Sequence, residues 1–465
     1  MRRSRHLLPG LALLSACAGP PVETAQVAPV TPPAQWRVDA GPTTPLDRTW
    51  WQAFGDPVLT GLVEQALANN LDIALAGARI RDARAQVMAA RAALLPTLDA
   101  AGSGARSRSV NAFGQPAEQT AGQPQLQAGW EADLFGRLSD QQSAARSAWL
   151  ASRAARDAVR LSVAGTVASS YISLLSLDAR LDVARQTLAA REDSLRLIGR
   201  RVDAGYSPRL ELTQAQAEYQ AAAQIIPQLE QARAQTENAL NLLTGALPGD
   251  VERGAPLAAL TAPPIPDGLP SSLLRRRPDV AQAELQLASA DHALAAARKR
   301  FLPQLHLTGS AGAVFSSLLA DPITIWSVGG SVLAPLFEGG RLRAGADSAG
   351  AQRDSAAYAY RRAVLSAFRD VEDGLSGTLH ADAQLPMLAA QRDALAESYR
   401  LASNRYRAGY SSYLEQLDAQ RGLLAADLGL VQARANALIA RVTLYQAMGG
   451  GWDEGLAFEA PGDQP

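Results

Sequence analysis

An internal duplication constrains the fold of this chain more than any other feature. Leu95-Pro96 recurs as Leu302-Pro303 at an offset of 207 residues, and Ala204-Gly205-Tyr206-Ser207 recurs as Ala408-Gly409-Tyr410-Ser411 at an offset of 204. Two further pairs of segments keep the same order, Asp133–Leu138 with Pro335–Leu342 and Leu240–Gly245 with Leu444–Gly449. One order of elements is therefore used twice, in a first copy over 50–252 and a second over 253–450.

Each copy is predicted to contain a helix, two strands and long helices. A helical pattern rich in Ala, Arg and Leu runs from about Asp56 to Leu95 and stops at Pro96, because proline cannot continue a helix. The strands are expected at about 97–108, 123–135, 304–314 and 323–337, joined by polar loops at Ser109–Thr120 and Phe315–Pro322.

The predicted strands have one apolar and one polar face. Leu126, Ala128 and Trp130 alternate with Gln125 and Gln127, which is the period of a strand. A half-buried sheet in a soluble protein has the same pattern. Small residues and hydroxyls on one face also suit a transmembrane β-barrel. Four strands cannot close around a channel, and open edges in lipid leave backbone groups unpaired, so several chains must share the barrel.

The long helices carry apolar residues every seven positions, as in Leu174, Leu181, Leu188, Leu195 and Val202, and again in Leu417, Leu424, Val431, Leu438 and Tyr445. Gly136 to Val202 would extend about 100 Å as one helix at 1.5 Å per residue, which indicates a spacer. Pro227 and Pro386 are expected to bend or interrupt helices. Leu161–Leu177 lacks charge but contains many serines, so it is interpreted as a packed helix.

The N-terminus has the pattern of an exported lipoprotein. Arginines followed by a short apolar stretch predict a signal peptide over 1–16, and Leu14-Ser15-Ala16-Cys17 resembles a lipobox in which Cys17 is lipidated. The Pro-rich residues 17–49 suit an extended tether, and 451–465 are expected to form a flexible tail. The balance of 44 Lys and Arg against 45 Asp and Glu argues against nucleic acid as a partner.

Two motifs carry a resemblance to a known family. Trp51-Gln52-Ala53-Phe54-Gly55-Asp56-Pro57 and Leu273-Leu274-Arg275-Arg276-Arg277-Pro278-Asp279-Val280 are similar to motifs of the TolC-like outer-membrane factors, in particular the NodT-type efflux lipoproteins. The resemblance implies a mainly α fold with a transmembrane β-barrel: a homotrimer with 12 strands in the outer membrane and a periplasmic helical tunnel. It also implies a periplasmic adaptor, an inner-membrane transporter of the resistance-nodulation-division type, and outer-membrane lipid as partners.

The same resemblance implies a gate at the periplasmic tip. Glu415 and Asp418 match acidic positions that face the threefold axis, and they share a helix face at a spacing of three. Tyr406 matches a tyrosine that braces the closed tip in some members, although Ser411 replaces the arginine partner found there. In the first copy, Glu211 corresponds to Glu415. The predicted adaptor-contacting tips are Ala204, Gly205, Tyr206, Ala408, Gly409 and Tyr410.

The predicted function is an outer-membrane exit duct of a tripartite pump that exports small molecules such as drugs. Secretion of a protein or peptide is an alternative, and a structural coiled-coil protein or adaptor is an alternative of another class. His6, His292, His306 and His380 lack metal-ligand spacing, and phosphate-binding or nucleophile motifs are not found. The sequence therefore predicts no enzyme activity, no cofactor and no metal.

Overall fold

The computed structural model describes residues 22, 24–38, 44–110, 112–266, 268 and 270–452. The predicted signal peptide, Cys17 and all but the first two residues of the predicted tail lie outside the described residues. The chain divides into two compact units, and each unit takes segments from both copies of the duplication.

Nine α-helices account for most of the described chain. They are α1 (Pro57–Asn69), α2 (Leu71–Ala92), α3 (Arg137–Asp203), α4 (Arg209–Ala223), α5 (Ile225–Leu243), α6 (Pro270–Arg276), α7 (Pro278–Lys299), α8 (Arg341–Arg407) and α9 (Tyr413–Ala447). Short 3-10 helices cover Trp50–Phe54 and Leu257–Ala259. The two long helices α3 and α8 have 67 residues each.

The helical pattern between Asp56 and Leu95 forms two helices, not the continuous one that the sequence suggests. Asp56 caps α1, because its carboxylate accepts hydrogen bonds from the backbone N–H groups of Val58 and Leu59 at 2.8 and 3.3 Å. Asn70 has extended backbone dihedrals and caps α2 by accepting from the N–H of Asp72 at 2.9 Å. A second cap inside the apolar pattern therefore starts a new helix.

The four strands form one antiparallel sheet in the order β1-β2-β3-β4. They are β1 (Thr97–Val110), β2 (Pro116–Ala132), β3 (Gln304–Ser316) and β4 (Ile323–Leu333). Pairing of β2 with β3 joins the two copies, while β1 and β4 have no further partner strand among the described residues.

The hairpin of β1 and β2 is longer than expected. The segment predicted as a polar loop, Ser109–Thr120, is mostly strand, since Ser109 pairs with Ala117 and Val110 with Pro116. Backbone pairing does not need an apolar face, so a polar sequence continues the ladder. At the other end, β4 stops before Pro335, which cannot donate to a ladder.

The serine-rich segment Leu161–Leu177 lies at the centre of the second unit. Val167, Tyr171 and Leu174 are fully buried there and pack in one cluster with Trp50 and Val442. Two helices, α3 and α9, contain windows long and apolar enough to cross a membrane, but half of the α3 window is buried inside the protein. The packing agrees with the interpretation of this segment as a core helix.

The two helix prolines behave differently. A helix break at Gln224 separates α4 from α5, and Pro227 lies in the first turn of α5, where its missing N–H is tolerated. Pro386, in contrast, lies inside α8, which continues without interruption to Arg407.

Residues 24–38 of the predicted tether are hydrogen-bonded to α8 near both of their ends. In the first unit, the N–H of Ala25 donates to Asp354 at 2.9 Å. In the second unit, the N–H of Arg37 donates to Glu372 at 2.9 Å, and the indole of Trp36 contacts Phe368. Residues 24–38 are therefore held against α8, and we call them the docked strap.

Arg277, from the motif that carries the resemblance, has a structural role in the second unit. Its side chain is 11 % exposed, pairs with Asp279 at 2.7 Å and Asp370 at 3.2 Å, and donates to the carbonyl of Ala447 at the end of α9. Burial opposes its charge, but the two carboxylates raise the pKa of Arg277 above its usual value. The motif thus ties three helices together.

Candidate functional site

Two similar reversals turn α3 into α4 and α8 into α9. Gly205 and Gly409 have φ values of 78° and 81°, the left-handed conformation that glycine adopts without a steric cost. The N–H groups of Tyr206 and Tyr410 close each helix by donating to the carbonyls of Arg201 and Arg405 at 2.7 and 2.9 Å. The structure places all six predicted tip residues at the surface: Ala204, Gly205, Tyr206, Ala408, Gly409 and Tyr410.

Behind the reversals, the four helices share a small apolar cluster, which we call the tip cluster. Its buried members are Ile198, Ala215, Tyr406, Tyr413 and Leu417. The rings of Tyr406 and Tyr413 lie 5.6 Å apart, and both side chains are almost completely buried. The tip cluster holds helices of the first copy against helices of the second.

Tyr406 links the two copies through polar contacts as well. Its hydroxyl donates to Glu211 at 3.3 Å, and the guanidinium of Arg201 lies 4.9 Å above its ring. Arg201 also donates to the carbonyl of Arg407 at 3.2 Å. Burial, followed by the charge of Glu211, raises the pKa of Tyr406 above its usual value. The hydroxyl therefore stays protonated and remains a donor at neutral pH.

The two predicted gate acids lie on the exposed side of α9. Glu415 and Asp418 are exposed, while Gln416 and Leu417 between them are buried. Glu415 is not an isolated charge, because Arg405 of the same chain pairs with it at 3.2 Å. The sequence does not indicate this partner. The ion pair partly neutralises the acidic surface that the two carboxylates would otherwise present.

An ion triad centred on a buried carboxylate lies next to the tip cluster, and the sequence does not predict it. Glu218 on α4 is 7 % exposed and lies between Arg191 of α3 and Arg421 of α9. Arg191 reaches its carboxylate at 3.1 Å and its backbone carbonyl at 2.6 Å, and the Nε of Arg421 donates to the carboxylate at 3.0 Å. Burial and the charge of Glu218 raise the pKa of nearby Tyr413 to about 12.

One sequence signal indicates that Glu218 needs a charged partner. Ala215, Glu218 and Ala222 follow the spacing of a single helix face, and the two alanines are buried. A carboxylate on an apolar stripe needs a cationic partner, since an unpaired buried charge is strongly unfavourable. The pattern indicates that Glu218 has a partner but does not identify it.

A second candidate site, besides the helix reversals, is the exposed apolar face of the sheet in the first unit. Its register aligns Leu98 with Ala128, Ala128 with Gly309, and Gly309 with Val328, so these residues share one face. Leu126, Trp130, Leu307, Trp326 and Val332 lie on the same face and are exposed. The opposite face is polar, with Asp99, Gln125, Gln127, Thr308, Ser310 and Ser327. An exposed apolar face of this size needs a hydrophobic environment.

Known proteins resemble this chain in both sequence and fold. The family described as outer membrane efflux protein matches residues 62–246 and 269–450. The pyoverdine export outer membrane protein OpmQ of Pseudomonas putida is 35% identical over 97% of this chain and 98% of its own length. The toluene efflux pump outer membrane protein TtgC of Pseudomonas putida is 34% identical over 95% of this chain and 94% of its own.

A solved structure gives the same assignment. The Neisseria gonorrhoeae MtrE outer membrane channel, crystallised in its open state, superposes with a TM-score of 0.81 at 30% identity, covering 92% of this chain and 99% of MtrE. The fold and the amphipathic sheet therefore define an efflux channel of the bacterial outer membrane. The chain belongs to the outer membrane efflux protein family. The predicted fold class, that of the TolC-like channels, is confirmed.

Proposed function

We propose that three copies of this chain form the exit duct of a tripartite pump. The observation that carries the proposal is the four-stranded sheet, which has one exposed apolar face and two strands without a further partner among the described residues. Pairing of β4 in one copy with β1 of the next would remove both edges. Three copies would give a 12-stranded barrel.

The cargo is proposed to be small organic molecules. The relatives named above are a pyoverdine export protein and a toluene efflux protein. The energy for export would come from an inner-membrane transporter of the resistance-nodulation-division type, connected through a periplasmic adaptor. The exposed Tyr206 and Tyr410, at 85 % and 81 %, suit contact with that adaptor at the two reversals.

Lipidation of Cys17 is also part of the proposal. The docked strap supports it, because the described segment from residue 24 follows α8 closely and would leave only a short chain between a lipid anchor and the first unit. Labelling with a palmitate analogue tests it: wild-type protein should be labelled and Cys17→Ala should not.

The gate is proposed to open when α8 and α9 move away from α3 and α4. Glu415 and Asp418 would line the mouth, and Tyr406 would hold it closed through Glu211. The triad of Arg191, Glu218 and Arg421 would further stabilise the closed state. Opening must exchange these contacts for water or for new partners.

Growth of a deletion strain tests the export function. The strain, with and without the intact gene, is grown on antibiotics, dyes, solvents and metal salts, and we expect sensitivity to organic compounds that the gene restores. An unchanged strain would contradict the proposed efflux role. For the gate, planar-bilayer recordings of Glu415→Ala/Asp418→Ala should show weaker block by divalent cations. Glu397→Ala, an exposed acid of α8 paired with Arg400, is the matched control.

A further inference from the structure

We infer that Arg106 and Arg108 form a binding surface for the phosphate groups of the outer-leaflet lipid. The inference rests on the proposed function, in which the sheet spans the outer membrane. Both arginines lie on β1, and the register places them on the same face as Leu98 and the other apolar residues. They therefore face lipid, not the channel interior.

The position of the two arginines along the strand places them at the depth of the phosphates. From Trp130 to Thr120, which pairs with Arg106, β2 advances ten residues. At about 3.3 Å per residue and a tilt of about 40°, this corresponds to roughly 25 Å along the membrane normal, the usual height of the apolar band of a barrel. If Trp130 lies at one interface, Arg106 lies at the other.

The neighbouring rows agree with this depth. The row below Arg106 contains Gly104, Gly122 and the partly exposed Phe315, an aromatic residue of the kind found at membrane interfaces. Above it, β3 has ended, so the β1–β2 hairpin projects alone. The helices leave the sheet at the opposite end, which assigns the projecting hairpin to the outer leaflet.

Both arginine side chains are available to a lipid. They are 76 % and 69 % exposed, and Glu118, the acid between them, lies 3.2 Å from Arg106 and 3.8 Å from Arg108. One carboxylate therefore serves two guanidinium groups, and a net positive charge remains. Guanidinium groups bind phosphate through paired hydrogen bonds, which makes a phosphorylated glycolipid the expected partner.

Binding of fluorescent lipopolysaccharide to the full-length protein in zwitterionic detergent tests the inference. We expect Arg106→Ala/Arg108→Ala to weaken binding about tenfold. Glu118→Gln should strengthen binding severalfold, because it removes the competing carboxylate. Ser107→Ala/Ser109→Ala, on the opposite face of the same strand, is the matched control and should bind like the wild type. Dephosphorylated lipopolysaccharide should bind the wild type and these variants with the same, weaker affinity.

Three results would overturn the inference. The first is equal binding by the wild type and the double arginine variant, and the second is undiminished binding of the dephosphorylated lipid. The third is loss of the oligomer by the arginine variant with unchanged lipid affinity, which would assign the arginines to contacts between copies. Planar-bilayer conductance separates the two proposals: a wild-type protein without channels contradicts the proposed duct, whereas intact channels with arginine-independent lipid binding contradict only this inference.

Discussion

Glu218→Gln removes the buried central charge of the triad with little change in the size of the side chain. Arg191, whose side chain is 5 % exposed, then loses its only carboxylate partner among the ion pairs of the described residues. Removing one partner of a buried ion pair costs about 3–5 kcal/mol. Arg191 keeps its hydrogen bond to the backbone carbonyl of residue 218, and the half-exposed Arg421 returns to water, so we expect about 2–3 kcal/mol.

The loss of stability in Glu218→Gln should be localised to the helices next to the reversals. Limited proteolysis and hydrogen exchange of the purified channel should show faster opening of α4 and of the start of α9. Single-channel recordings should show longer openings, if this triad locks the gate. Arg191→Met in the Glu218→Gln background should recover most of the loss, because it removes the buried charge that the first substitution leaves unpaired.

A matched control distinguishes this effect from a general loss of charge. Glu230→Gln on α5 breaks an exposed pair with Arg185, in which the side chains are 45 % and 52 % exposed, and should change stability by less than about 1 kcal/mol. Equal protection of α4 in Glu218→Gln and the wild type would refute the reasoning, and so would a further loss on adding Arg191→Met.

Three further predictions concern stability, measured by thermal unfolding in detergent. Gly409→Ala should destabilise by about 1 kcal/mol, since φ is 81° there. Tyr171→Phe should cost about 1.5–3 kcal/mol, because its hydroxyl donates to Asp56 at 3.0 Å and accepts from the N–H of Gly254 at 2.9 Å. Burial disfavours the charged carboxylate of Asp133, but hydrogen bonds from Ser139 and from neighbouring N–H groups lower its pKa below the usual value. Its contribution to stability should therefore be present at neutral pH and be lost as the pH falls below the usual pKa of an aspartate, so the stability difference from Asp133→Asn should shrink in acid.

Controls are available for each of these predictions. Gly429 lies inside α9, and a Cβ added there would meet no atom of the described chain within 4 Å, so Gly429→Ala should be neutral or stabilising, unlike Gly409→Ala. Tyr358→Phe removes an exposed hydroxyl and should have little effect. A stability difference between the wild type and Asp133→Asn that does not change with pH would contradict the proposed role of the charge.

Much of the architecture follows from local sequence. The duplication predicts two strand pairs and two long helices, and the alternation around Leu126 predicts the apolar face that the register confirms. Gly205 and Gly409 mark both reversals. These features depend on the conformational preferences and polarity of neighbouring residues, which are visible in any short window. The motifs around Asp56 and Arg277 also indicated the family, although their side chains serve the fold.

The identity of the partners was decided only by the tertiary structure. Arg421 and Glu218 are 203 residues apart in the chain, and Tyr406 and Glu211 are 195 apart. Glu415 pairs with Arg405 across a reversal, a partner that the sequence does not indicate. Likewise, α8 continues through Pro386, and a polar segment extends the β1–β2 hairpin. A sequence pattern states which face of an element is buried or charged, but long-range packing alone determines which side chain lies opposite.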